Sequence, residues 1–267
     1  MLGPANRPPA LTGAGLSSLL RANMEEGSRG LAVWNGILGA ALKIPGARLD
    51  RASFLRTALL PCSSPAIVEA AIRETPAKAG VRREVVSRVA KEAIKWHLVR
   101  VSATSAVAGM PGGWWVAGTV PLDMAQYFWH VLVVLQKVAY LHGWPSLMED
   151  DDEIDDETRL VLTLFVGVML GAHGATTAVS KLAGALGTEV ASKLPRAPLT
   201  RLSLSRVARE VAKWIGLKLT KKKLGEILGR AMPIAGGVIA GTMTWMAFGA
   251  GAERLHQHLE TLSLARE

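Results

Sequence analysis

The chain has 267 residues, enough for one large domain or two small ones, and its composition is 49% hydrophobic with a mean hydropathy of +0.25. That excludes a disordered or low-complexity protein. A single cysteine, Cys62, excludes a disulfide framework and a cysteine-rich zinc site. Net charge is +9 and unevenly spread: Glu149 to Glu157 holds eight of the 22 acidic residues, while Lys193 to Arg230 holds eleven Lys/Arg against two Glu. A basic segment of that kind attracts phospholipid headgroups or nucleic acid, or forms a solvated helix face.

The first dozen residues, with Pro4, Pro8, Pro9 and Gly13, read as a tail without the basic region and apolar core of a secretory signal. Helices are predicted at about 15–26, 30–43, 49–60 and 64–74, the last opened by Ser64-Pro65. Pro76 to Gly80 reads as a linker, so the chain divides into an N-terminal helical segment, 1–80, and a second unit, 81–267. From Val81 a long helix shows a period close to 3.6, with Val85, Val86, Val89, Ala93, Ile94 and Val101 apolar.

Val101 to Leu122 is free of formal charge and is broken at Gly109-Met-Pro-Gly-Gly-Trp-Trp115. The pair Trp114-Trp115 is suited to a headgroup layer. A helix resumes and runs to Leu141, ending at His142-Gly-Trp-Pro145. Asp155, Asp156 and Glu157 then cap a new helix. The acidic run lacks the spacing and glycine of a calcium loop and reads as a solvated cap or a docking site for the basic segment.

Leu160 to Ser180 and Ala231 to Ala252 are uncharged for 21 and 22 residues, the length that a membrane span needs. Each carries G-x-x-x-G, at Gly167/Gly171 and Gly237/Gly241, which permits close helix packing. Both are diluted by Gly, Ala and Thr, so they read equally as marginal spans and as central helices of a soluble bundle. Between them lie basic segments near 200–216 and 218–231, where Lys218, Lys221, Lys222 and Lys223 would meet an anionic surface. No strand pattern is present, and the fold expected is all-α: a multi-helix bundle with Gly/Ala-rich central helices.

Phosphate-binding, nucleophile-elbow, zinc-protease and dinucleotide signatures are absent from the sequence. Of six histidines only His256 and His258 are near neighbours, and on a helix they point about 200° apart. No metal-ligating, cofactor-binding or catalytic residue is therefore assigned. Asp123 reads as a helix cap or first-turn acid, with a catalytic role beside His130 or His142 as the alternative. Nucleic acid is disfavoured as a partner, because Trp214 is the sole aromatic residue among the basic ones.

From about residue 96 to 259 the chain resembles the bacterial EcsC family. The resemblance is carried by Gly109-Met-Pro111-Gly-Gly113, Pro121-Leu-Asp123, Ala139-Tyr140-Leu-His-Gly143-Trp-Pro145 and Ile227 to Gly241. His142 stands where the family pattern has an aromatic residue. The resemblance implies a bacterial, helical protein associated with membrane transport or secretion, with no established reaction. The expectation is a non-enzymatic, amphitropic protein of the cytoplasm and the cytoplasmic face of the inner membrane. Its partners would be an anionic membrane surface and a homo-oligomer or regulatory protein, and its sharper form a pore-forming or membrane-disrupting effector. A soluble regulatory module and an enzyme of unrecognised type are the alternatives.

Overall fold

The computed structural model describes residues 13–108, 122–148, 155–187, 204–229 and 236–266, with side chains described for 24–102, 124–148, 155–187, 204–219 and 246–266. The described residues form an all-α bundle: α1 (Gly13–Leu42), α2 (Arg51–Leu59), α3 (Pro65–Arg73), α4 (Arg83–Ala108), α5 (Leu122–Leu141), α6 (Asp156–Leu170), α7 (Ala175–Gly187), α8 (Leu204–Gly229) and α9 (Gly236–Glu260), with a 3-10 turn at Ser263–Ala265. The two short helices expected before residue 43 are one helix, and so are the two basic segments after residue 200.

Local chemistry sets several boundaries. The Asp50 carboxylate accepts from the Ser53 amide and caps α2, and Asp155 does the same for α6 through the Thr158 amide. Pro65 occupies the first turn of α3 behind the Ser64 cap. Arg51 closes the other end of α3: its guanidinium, mostly buried, donates to the carbonyls of Ala71, Ile72 and Glu74, and its Nε to that of Trp144.

The uncharged stretch 160–180 is not one helix. Gly171 adopts φ +74 and ends α6, with the Ala172 amide donating to the Gly167 carbonyl and the Gly171 amide to that of Val168. This paired return is the glycine C-terminal motif that stops a helix. The chain turns again at Gly174 (φ +78) before α7. Expectation of a span here is corrected: α6 has 15 residues, too few to cross a bilayer. No helix among the described residues is long and apolar enough to do so.

α5 and α6 are the central helices. Val131 to Leu135 and Val161 to Met169 are buried without a solvent face, the pattern of an enclosed helix. α5 is surrounded by α1, α4 and α9, and α6 by α7, α8 and α9. One core runs from Trp34 and Ile37 through Phe128, Phe165 and Val211 to Leu255, so residues on both sides of position 80 share it. Trp34 illustrates the join: its indole Nε1 donates to Thr163 Oγ1 at 3.0 Å and its ring meets Phe128 edge-on.

Candidate functional site

α4 carries two distinct chemical surfaces. It runs antiparallel to α9, since Arg83 pairs with Glu260 at 3.0 Å at one end and Leu98 lies against Gly249 further along. Near its start, α4 and α9 border an open groove of about 700 Å³ whose walls include Arg83, Ser87, Arg88, Lys91 and Glu260.

Three side chains form a connected line beside this groove. Ser87 Oγ lies 3.1 Å from His256 Nε2, and His256 Nδ1 lies 2.9 Å from His142 Nε2. They come from the first turns of α4, the last turns of α9 and the turn after α5. Both imidazoles are buried, and their rings meet edge to edge, 29° from parallel with centres 5.1 Å apart, as a hydrogen bond between ring nitrogens requires. Burial holds both below the usual histidine value, His142 down to about 3, while the negative charge of Glu260 pulls each the other way. Both rings are therefore neutral at pH 7, and one N–H lies between them.

The second surface lies further along α4. Here His97 Nδ1 faces His130 Nδ1 of α5 at 3.0 Å, and Lys137 Nζ approaches His97 Nε2 at 3.1 Å. An ammonium can only donate, so His97 accepts at Nε2 and carries its proton on Nδ1, which donates to His130. The Arg100 guanidinium lies 3.5 Å from the centre of the Trp96 ring, and Lys137 Nζ 5.1 Å from it. Trp96 is 43% exposed and Val99 48%. Burial first, then neighbouring cations, holds His97 at about 3 and His130 at about 4. No carboxylate acts on either ring or on Lys137 among the described residues. The adjoining positive charges oppose a metal cation at this histidine pair. Among the described residues no group of three or more His, Cys, Asp or Glu converges.

The residues singled out from sequence fall in several places. Pro111, Gly113, Trp114, Trp115 and Pro121 lie outside the described residues. Asp123 belongs to α5, and Lys221, Lys222 and Lys223 to α8, with side chains outside the described set; Gly237 and Gly241 lie within α9. Lys218 is exposed, its ammonium 4.5 Å from the Trp214 ring and 3.5 Å from the Leu170 carbonyl at the end of α6. Gly167 does mediate helix packing: a Cβ there would press on Val211 of α8. Gly171 ends α6 instead of sharing that face. Tyr140 is buried, donating to the Leu49 carbonyl and accepting from the Leu147 amide. Gly143, at φ +84, sits directly against the Leu264 carbonyl.

Compared with protein-family models, curated proteins and solved structures, the chain matches none of them. The grouping of Trp96, Arg100 and Lys137 was not visible in the sequence, and neither histidine pair was. The nearest signal was the presence of Trp96, His97 and Arg100 within one helical turn or so.

Proposed function

We propose that this is a helical protein that binds anionic membrane surfaces peripherally, through exposed tryptophans flanked by cations. The observation that carries the proposal is the Trp96–Arg100–Lys137 group on α4 and α5, repeated in simpler form by Trp214 and Lys218 on α8. An indole has an apolar body and a polar edge, which suits it to the headgroup layer. A cation at its side adds about 1 kcal/mol of attraction to an anionic leaflet. Val99, exposed beside Trp96, extends the apolar contact. The excess of Lys/Arg in 193–230 and the likeness to the EcsC family agree with this reading. Insertion as a pore is a further step; of the two uncharged Gly-rich stretches that suggest it, 160–180 is divided at Gly171, which leaves 231–252, with Gly237 and Gly241, as its sequence basis.

Binding titrations with vesicles of phosphatidylglycerol and of phosphatidylcholine test the proposal. The intact protein should bind the first and not the second. A Trp96→Ala/Trp214→Ala variant should lose most of the affinity while keeping its helical circular dichroism. Equal binding of that variant and the parent protein would overturn the role of these indoles.

A further inference from the structure

We propose that Ser87, His256 and His142 form a nucleophilic site that cleaves small polar carboxylic esters in the groove between α4 and α9. The inference does not rest on membrane binding, and it departs from the sequence reading, which assigned no catalytic residue. It begins with the Ser87 hydroxyl. The hydroxyls of Thr57 and Thr163 return to the carbonyls four residues back, those of Ser53 and Arg159. Ser87 instead faces a histidine, His256 at 3.1 Å, as Ser180 of α7 faces His258 at 3.4 Å; the Ser87 contact is the shorter, and its histidine is buried.

One set of protons then satisfies the line. Ser87 Oγ–H donates to His256 Nε2, and His256 Nδ1–H donates to His142 Nε2, at 3.1 and 2.9 Å. This is the arrangement in which an imidazole accepts the proton of an attacking hydroxyl while a third group fixes its tautomer. Burial keeps His256 neutral and able to act as a base near pH 7. The imidazolium that forms is countered by Glu260, whose charge acts on both rings and which Arg83 holds at 3.0 Å. Lys91 lies one turn beyond Ser87, lines the same groove and acts on His256. It supplies positive charge for the oxyanion.

In the proposed step Ser87 Oγ attacks the ester carbonyl carbon as its proton moves to His256 Nε2. The carbon–oxygen ester bond breaks, and the departing alkoxide takes the proton back from His256. Water, deprotonated by His256, then attacks the acyl-serine, releasing the carboxylic acid and restoring the hydroxyl. The groove is open and its walls are charged, with Arg83, Arg88, Lys91 and Glu260 among them. Those walls suit a short polar ester and not a long acyl chain. His142 is a positioning residue, since it reaches the reaction through His256.

The test uses the full chain with p-nitrophenyl acetate and a fluorophosphonate probe. One adduct mapping to Ser87 is expected, and turnover should fall to background in Ser87→Ala. Alanine is a good helix former at this position, though it leaves His256 Nε2 without its donor; an unchanged circular dichroism spectrum for Ser87→Ala shows that the loss reports chemistry. His256→Gln should lose about a hundredfold or more in kcat. Glu253 and Glu260 both raise His256 against its burial and the charge of Lys91; Glu260→Gln removes one of those two negative charges, and the acidic limb of the rate profile should move to lower pH, further still in Glu253→Gln/Glu260→Gln. His142→Gln, which keeps an acceptor, should retain more activity than His142→Ala. Absence of an adduct at Ser87 in the folded protein, or unchanged turnover in Ser87→Ala, would overturn the proposal.

Discussion

The Arg100 guanidinium lies flat enough over Trp96 to bring its central carbon within 3.5 Å of the ring centre, on a stretch of α4 that faces solvent. A surface cation–indole contact of this kind contributes only about 0.5–1 kcal/mol to stability. Its larger consequence is positional, because it fixes one positive charge over the face of an exposed indole. Arg100→Gln should therefore lower partition onto phosphatidylglycerol vesicles about fivefold, the equivalent of about 1 kcal/mol, with little change in melting temperature. Vesicle titration alongside thermal unfolding checks both halves of that expectation.

Helix packing gives a contrast in sign between two glycines. α1 and α8 cross at Gly30 and Gly216, where a Cβ on Gly216 would fall on the Gly30 carbonyl and one on Gly30 would lie 2.6 Å from the Lys213 carbonyl. Neither backbone can yield without separating the helices. Gly216→Ala should destabilise the protein by about 2 kcal/mol, within the usual range for overpacking. Gly184 in α7 has nothing within 4 Å of such a Cβ, so Gly184→Ala should be neutral or stabilising by up to about 1 kcal/mol. Urea midpoints of the two variants compare them directly.

The buried histidines make stability depend on pH with a definite sign. His97 and His142 are held at about 3 and His130 at about 4, below the ordinary value of 6.5. As pH falls through 6.5, the unfolded chain takes up protons that the folded chain refuses. Stability is thus fully present above pH 6.5 and declines below it, towards the folded values, by about 1.4 kcal/mol per pH unit for each such histidine. Denaturation curves at pH 7.5, 6 and 5 should show a falling midpoint, and His97→Asn should reduce the slope. A midpoint that holds steady down to pH 5 would contradict the burial of these rings.

Arg51 should be among the most costly surface-proximal residues to replace. Its Nη1 donates to the Ile72 carbonyl at 2.6 Å, and the rest of the fork serves three further carbonyls at the end of α3 and at Trp144. Arg51→Ala leaves these acceptors without a donor and should cost about 3 kcal/mol. Arg51→Lys should recover only part of that, because an ammonium cannot span the same fork. Calorimetric unfolding of both variants distinguishes charge from geometry.

Much of the architecture was legible in the residues. The Asp155 cap followed by Thr158, the Ser64-Pro65 start and the period of α4 all encode local contacts within a few positions, and those the sequence shows directly. Gly171 was read as half of a packing motif, because G-x-x-x-G is the same word whether the second glycine continues a helix or stops it. Its left-handed backbone decides for the stop. The two basic segments after residue 200 merge into one helix because Gly216 sits at a close crossing with α1, where a glycine is required by packing and marks no break. The histidine pairs were out of reach: His142 and His256 are 114 positions apart, and neither has a local pattern that names the other. The same holds for Trp96 and Lys137, which meet only once α4 and α5 lie side by side.

Flotation of the full chain with anionic and zwitterionic vesicles, washed first in high salt and then in carbonate, bears most directly on the account. Peripheral attachment through cation-flanked indoles predicts flotation with phosphatidylglycerol vesicles, release by salt and no leakage of entrapped dye. Flotation that survives both washes with dye release would mean insertion in place of surface binding. Failure to float with either vesicle would contradict the membrane reading altogether.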